Sequence, residues 1–262
     1  MTDTKGALVI IGGHEDREPA GERVILREIA RRLAGGKLVL ATVASGAPEG
    51  YVEEYRAAFA DLDVGELVAF HVTTHEQALD PSCLAVFADA RGVFFSGGDQ
   101  RRITETIVGT PVEDRVRAIY ESGGVIAGTS AGASAMSGEM IERGPSGESP
   151  AEGEIRFAQG LNLLPGVVVD QHFAERGRMG RLMAAVAESP AGIGMGIDEN
   201  TAAVVERGRF AVIGAGGVSV VVGGELRPAK TANGREVVTI VDATVHLLGA
   251  EDTFDLEHRR PV

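Results

Sequence analysis

The chain has 262 residues, of which 44% are hydrophobic and 24% are charged, and its formal net charge is −13. This composition is that of an ordinary soluble globular protein, and the length fits one domain over residues 1–262 better than two small ones. The acidic balance argues against nucleic acid or an anionic membrane as partner, and the single cysteine, Cys83, excludes an internal disulfide and a cysteine-based zinc site.

The first apolar run, ALVIIGG, has no basic segment before it, so we expect a strand rather than a secretory signal, and a cytoplasmic location. Four further apolar runs end in Gly, Ser or Thr and are predicted strands: KLVLATVAS, ELVAFHV, GVFFSGG and GVIAGTS. The segments between them have apolar residues at helical spacing, for example Ile25, Ile29 and Leu33, and are predicted helices. Apolar strands that alternate with helices predict an α/β fold, with a mostly parallel sheet flanked by helices.

From about residue 193 the pattern changes to alternating, valine-rich segments, which predict antiparallel strands added at one edge within the same domain. No stretch approaches the roughly 18 apolar residues of a transmembrane helix. Because ligands bind beyond the carboxyl ends of parallel strands, we expect IGGHED, FSGGDQ and GTSAG to lie along one rim. IGGHED lacks the third glycine of a dinucleotide fingerprint, so it is predicted to be structural or rim-lining, and no cofactor is expected.

The segment GTSAG places Ser130 between two glycines, after a predicted strand and before a predicted helix. This is the context that the G-x-S-x-G pattern of serine hydrolases requires, because the glycines allow a cramped turn that exposes the hydroxyl. A serine at this position can equally be a helix cap. As a nucleophile it needs a base within hydrogen-bond reach and a group that orients the base.

Of the six histidines, His172 is the favoured base, because it follows Asp170 and Gln171 at the exit of an apolar strand. Polar residues in that position have little packing role. His14, which follows Gly-Gly at the same rim, is the alternative. The orienting carboxylate is left open between two adjacent residues, Asp198 and Glu199.

Four ordered blocks, FSGGDQ, GTSAGAS, DQHFAERGRMGRL and GIGMGIDENTA, resemble the cyanophycinases, which are serine-type peptidases related to the α-aspartyl dipeptidases. The resemblance covers roughly residues 7–225. It implies a fold like that of the class I glutamine amidotransferases, in which a cysteine usually stands at the position of Ser130. It also implies that Ser130 is the nucleophile, His172 the general base and Glu199 the third member of a triad.

For this chemistry we assign the backbone N–H groups of Gly98 and Ala131 to the oxyanion hole, and no metal is required. The resemblance implies a substrate pocket lined by Gln100, Asp170, Gln171, Arg176, Arg178 and Arg181. Guanidinium groups bind carboxylates in a forked geometry, although three arginines at the start of a helix are also typical of a solvated face. The implied substrate is cyanophycin, a polyaspartate with arginine on each β-carboxyl group, which such exopeptidases degrade to β-Asp-Arg.

Two alternatives remain from the sequence: a peptidase acting on short aspartyl or isoaspartyl peptides, and a catalytically silent α/β binding protein. A homodimer is expected by resemblance. The segment from 140 to 160 is rich in Gly, Pro and Glu and is predicted to form a loop or hairpin over the site.

Overall fold

The structure, a computed structural model, describes residues 5–147, 151, 153–230 and 236–262. The strands are β1 Ala7–Ile11, β2 Lys37–Ala41, β3 Glu66–Phe70, β4 Ala90–Phe95, β5 Val125–Thr129, β6 Glu139–Arg143, β7 Arg156–Gln159, β8 Val168–Gln171, β9 Ile193–Ile197, β10 Thr201–Glu206, β11 Arg209–Gly214, β12 Val218–Val222, β13 Glu225–Lys230, β14 Glu236–Val241, β15 Thr244–Leu248, β16 Thr253–Asp255 and β17 Arg260–Pro261. The α-helices are α1 Val24–Leu33, α2 Pro48–Phe59, α3 His75–Leu79, α4 Gln100–Ile107, α5 Pro111–Glu121, α6 Ala131–Ser134 and α7 Met179–Glu188. A 3-10 helix covers Pro81–Phe87.

The main sheet has the strand order β17-β16-β11-β10-β1-β5-β4-β2-β3. Its half from β1 to β3 is parallel, and the four strands from β10 outward are antiparallel. All five predicted parallel strands are present, and the α/β prediction is confirmed. The interpretation of residues 1–262 as one domain stays a prediction.

The apolar runs become strands because both faces of the parallel half are covered. On one face Val9 and Phe94 pack with Ile25 of α1 and Phe59 of α2. On the other face the core includes residues of α4, α5 and the second sheet described next. A strand covered on both sides has no polar face, which is why these segments carry almost continuous apolar sequence.

A second sheet has the order β15-β12-β9-β8, in which β8 and β9 are parallel. This corrects the expectation that all the late strands join one edge of the parallel sheet. The strands β10, β11, β16 and β17 do extend the main sheet. In the second sheet, however, β12 pairs with β9 and β15 pairs with β12. β13 and β14 pair with each other. Alternating hydrophobicity predicts a strand with one buried face, but it does not select the neighbouring strand. The second sheet matters because β8 and β9 each lead into the rim.

The segment from 140 to 160 contains an antiparallel hairpin formed by β6 and β7, in agreement with the predicted loop or hairpin. Residues 148–150 and 152, in the middle of that segment, lie outside the described residues. Among the described residues there is no helix with the length and apolar character needed to cross a bilayer.

Candidate active site

Ser130 lies at a sharp turn between β5, which ends at Thr129, and α6, which begins at Ala131. Its backbone has φ 53° and ψ −107°, a strained conformation for a residue with a side chain. The side chain makes no helix-capping hydrogen bond, so the helix-cap interpretation has no support in the structure. The turn instead directs the hydroxyl toward β8, as a nucleophile at such a strand-to-helix turn requires.

The hydroxyl of Ser130 faces His172, with 2.9 Å between Oγ and Nε2. The other ring nitrogen, Nδ1, lies 2.6 Å from Glu199 Oε1. Asp198, the alternative carboxylate, is used elsewhere: it accepts the N–H of Ala174 and that of Gly217, each at 3.0 Å. The structure therefore brings together Ser130, His172 and Glu199, and it places Asp198 in a loop-bracing role.

Three consecutive carbonyl groups hold these segments in place. Ile11 accepts the N–H of Ser130 at 3.0 Å, Gly12 accepts that of His172 at 2.8 Å, and Gly13 accepts that of Asn200, next to Glu199, at 2.8 Å. Gly13 has φ 109°, and a Cβ there would lie 2.3 Å from His172 Cε1. Only glycine fits between this backbone and the imidazole.

A buried carboxylate that the sequence analysis did not identify stabilises the turn at Ser130 through the preceding residue. Glu15 is 4% exposed and accepts the hydroxyl proton of Thr129, the residue before Ser130, at 2.5 Å, as well as that of Tyr55. The segment IGGHED had been predicted to be structural or rim-lining, and its position agrees. The signal for Glu15 was a charged residue four positions after a predicted buried strand, where a buried carboxylate requires polar partners.

The pKa of His172 is lowered from its ordinary value of 6.5, mainly because the ring is removed from water and also because of the positive charge of Arg176. The hydrogen bond with Glu199 acts in the opposite direction. Since the net shift is downward, the imidazole is neutral at neutral pH and Nε2 can accept a proton.

The backbone assigned to the oxyanion hole comes from two segments, the loop after β4 and the start of α6. Gly97 and Gly98 line the same pocket as Ser130 and His172. Gly98 has φ 138°, and a Cβ there would lie 2.1 Å from the carbonyl oxygen of Ala44. Ala131 begins α6 directly after the serine. These positions are compatible with the assignment of Gly98 and Ala131, which stays a prediction.

The arginine cluster is largely paired within the protein. Arg178 donates to Asp170 Oδ1 at 3.1 Å and to the carbonyl of Gln171 at 2.6 Å. Arg181 donates to both carboxylate oxygens of Asp170, with its Nε at 2.9 Å. Burial lowers the pKa of Arg178 to about 10. Arg176 alone among the three is exposed, so the cluster is neither a solvated face nor three free guanidinium groups.

The remaining predicted pocket residues connect the two parts of the site. The side-chain oxygen of Gln171 accepts from the Ser130 hydroxyl at 3.4 Å, and Gln100 donates to the carbonyl of Ile141 in β6 at 3.2 Å. The hairpin region also meets Arg178, whose Nε donates to Ser146 Oγ at 3.3 Å. The segment between β6 and β7 therefore contacts the arginine cluster directly.

Three ligand atoms that could hold a metal ion lie at the same rim. His14, His172 and Glu199 each offer one, and all three atoms are within 4.8 Å of one another. His14, the alternative base in the sequence, is exposed and has its Nε2 3.9 Å from Glu199 Oε1. Of the two histidines, His172 is the one within hydrogen-bond distance of the Ser130 hydroxyl, at 2.9 Å.

A family model described as peptidase family S51 matches residues 8–213. The chain belongs to this family. The match expected from the sequence blocks is also found: the chain is 38% identical to the cyanophycinase of Trichormus variabilis over 98% of this chain and 87% of that relative. It is 32% identical to the cyanophycinase of Geminocystis herdmanii over 98% of this chain and 96% of that relative.

Among solved structures, a peptidase from an acI-B1 actinobacterium superposes with a TM-score of 0.69 at 21% identity, covering 96% of this chain and 97% of that one. At this identity the likeness concerns the fold alone. The predicted membership of the cyanophycinase family is confirmed, and the family makes the chain a peptidase.

Proposed function

We propose that this protein is a cyanophycinase, a serine-type exopeptidase that hydrolyses cyanophycin to β-Asp-Arg dipeptides through an acyl-enzyme intermediate. The observation that carries the proposal is the chain of contacts from Ser130 Oγ to His172 Nε2, at 2.9 Å, and from Nδ1 to Glu199 Oε1, at 2.6 Å. The substrate is supported by the names of relatives that are 32–38% identical over nearly the whole chain.

In this mechanism His172 takes the proton of Ser130 as the hydroxyl oxygen attacks a carbonyl of the polyaspartate backbone. Glu199 holds the ring with Nδ1 protonated and stabilises the imidazolium that forms. When the tetrahedral intermediate collapses, the C–N bond breaks and the proton moves from Nε2 to the leaving amine. Water, deprotonated by the same imidazole, then releases the acyl group from Ser130.

The negative oxygen of the intermediate requires fixed donors on the side away from His172. We assign the N–H groups of Ala131 and Gly98 to this role, because the first begins the helix after the nucleophile and the second belongs to the loop that lines the same pocket. Each such donor contributes about 3 to 4 kcal/mol to the transition state of related reactions.

Substrate binding is assigned to Gln100, Asp170, Gln171, Arg176, Arg178 and Arg181. In β-Asp-Arg the arginine is joined through its amino group, so each arginyl unit of the polymer keeps a free carboxylate and a guanidinium group. Arg176 is exposed beside His172 and can meet a carboxylate. Asp170 forms ion pairs with both Arg178 and Arg181 and holds them in place, which leaves one net positive charge in the cluster. The net charge of −13 disfavours nucleic acid, and an acidic surface can meet the guanidinium groups of the polymer.

The test is to incubate the purified protein with cyanophycin and measure β-Asp-Arg by mass spectrometry. Ser130→Ala should abolish release, whereas Ser134→Ala, on the same short helix, should retain it. If only short aspartyl or isoaspartyl peptides are hydrolysed, these peptides and not cyanophycin are the substrate. No hydrolysis of any of these from about pH 6 to pH 9, with no labelling of Ser130 by a serine-directed phosphonate, would favour a binding protein instead.

We also propose that the enzyme acts in the cytoplasm as a homodimer. β15 lies at the end of the second sheet, and Leu247 on this strand is 76% exposed, which supports a contact between two copies at that edge. Light scattering after size exclusion should give twice the monomer mass, and Leu247→Lys should reduce it to that of a monomer.

A further inference from the structure

One side chain beside the proposed triad has no part in the peptidase mechanism. His14 Nε2 lies 3.9 Å from Glu199 Oε1, and the His14 ring meets the His172 ring edge-on, with the centroids 5.2 Å apart. Together with the 2.6 Å contact between His172 Nδ1 and Glu199, this gives two imidazoles around one carboxylate. The ligand atoms of the three residues all lie within 4.8 Å of one another.

The backbone fixes where these three side chains start. Gly12 and Gly13 precede His14, and their carbonyl groups accept the N–H of His172 and that of Asn200, next to Glu199. The His14 backbone is itself left-handed, with φ 48°. Because the side chain of His14 is 69% exposed whereas that of His172 is 5% exposed, His14 is the ligand that is free to adjust.

This donor set suits zinc. Two histidines and one glutamate bind Zn²⁺ in open sites that keep water in the fourth position, at ligand distances of about 2.0 to 2.2 Å. Ligand atoms around a tetrahedral ion of that size are about 3.4 Å apart. The two separations measured from Glu199 Oε1, 2.6 and 3.9 Å, lie on either side of this value. To surround one ion, the His14 side chain must move closer to Glu199, and the Glu199 carboxylate, whose side chain is 30% exposed, must move back from His172 Nδ1.

We propose that a single Zn²⁺ ion binds to His14, His172 and Glu199 and reversibly inhibits the enzyme. The inhibitory effect rests on the proposed role of His172 as general base. Zinc on Nδ1 displaces the proton that this nitrogen shares with Glu199. The neutral ring then carries its proton on Nε2, which can no longer accept the proton of Ser130. The nucleophile loses its base although its own position is unchanged.

The first test compares each variant with its own metal-free rate of cyanophycin hydrolysis. Micromolar Zn²⁺ should inhibit the wild type, Mg²⁺ should not, and EDTA should restore the rate. His14→Ala should need at least about 10-fold more zinc for the same inhibition, since even outer-shell changes weaken metal binding by about 10- to 100-fold. His258→Ala is the matched control: this histidine pairs with Asp255 at 3.0 Å, away from these three ligands. It should leave the zinc response unchanged.

The second test measures binding without turnover, so that failure of the proposed peptidase activity does not affect it. Titration of the full-length Ser130→Ala protein with Zn²⁺ should show one site, and Co²⁺ should give the visible absorption of a four-coordinate ion. Both signals should be lost in Ser130→Ala/His14→Ala. Zinc inhibition that is equal in His14→Ala and wild type, or Ser130→Ala protein that binds no zinc, overturns the proposal.

Discussion

The two halves of the candidate site are held by different means. On the nucleophile side, main-chain hydrogen bonds to the carbonyl groups of residues 11–13 fix the segments that carry Ser130, His172 and Glu199. On the substrate side, Arg178 and Arg181 are fixed through their side chains by one carboxylate, that of Asp170. Backbone bonds of the first kind survive a change of side chain, whereas a charge network of the second kind is lost when one partner changes. We therefore expect substitutions on the nucleophile side to lower mainly kcat, and substitutions on the substrate side to lower mainly the stability of the fold.

The largest effect in this comparison is expected at the third member of the triad. Glu199→Gln should lower kcat by about 10³- to 10⁴-fold, because an amide favours the wrong tautomer of His172 and cannot stabilise the imidazolium. The unfolding midpoint should change little, since the backbone bonds remain.

Asp198→Asn is the contrast to Glu199→Gln. Asp198 accepts two backbone N–H groups, from Ala174 and Gly217, so its substitution should lower thermal stability more than turnover. Steady-state kinetics and thermal unfolding of both variants separate the roles. An equal loss of kcat in the two would return Asp198 to the list of candidate carboxylates.

The next largest effect is expected at Gly13, where the backbone packs against the His172 ring. Gly13→Ala places a methyl group 2.3 Å from His172 Cε1 at a φ of 109°, so the ring must move. A displacement of about 1 Å near a reacting group can cost about 10²-fold in rate, and we expect a loss of kcat of that size. Gly208, in the turn between β10 and β11, has φ 72° and open space around its Cβ position. Gly208→Ala should cost about 1 kcal/mol of stability, measured by urea unfolding, with kcat unchanged.

The sequence predicted the parts of this architecture that follow from local pattern. GTSAG at a strand-to-helix junction indicated Ser130, and polar residues at a strand exit indicated His172. The contact of Glu15 with Thr129 could not be predicted, because the two are 114 positions apart and no local pattern pairs them. The pairing of β12 with β9 was missed for a different reason: alternation defines the buried face of a strand but not its partner.

Substitutions in the arginine cluster should lower mainly the stability of the protein. Asp170→Asn leaves Arg178 and Arg181 buried without their counter-charge, and breaking a buried pair costs about 3 to 5 kcal/mol. We expect a large fall in the urea midpoint and a higher KM, with a smaller effect on kcat than in Gly13→Ala. The double variant Asp170→Asn/Arg181→Leu should recover part of the stability, because one unpaired charge is removed. No recovery would mean that the charge network does not determine the stability of this half.

The smallest effect is expected at Arg176, the exposed arginine, where the two halves meet. Hydrolysis requires neutral His172, whose pKa is lowered, so the acid limb of the kcat/KM profile of the wild type should lie below pH 6.5. The charge of Arg176 is one cause of that lowering, and Arg176→Gln should therefore raise the pKa of His172 and move the acid limb to higher pH. Exposed ion pairs contribute about 0.2 to 1 kcal/mol, which corresponds to a rise in KM of up to about 5-fold for a substrate carboxylate. Arg91→Gln, at the amino end of β4 and thus at the opposite end of the sheet, should change neither quantity. An acid limb that stays in place in Arg176→Gln would show that this guanidinium does not act on the imidazole, and the two halves of the site would then be electrostatically independent.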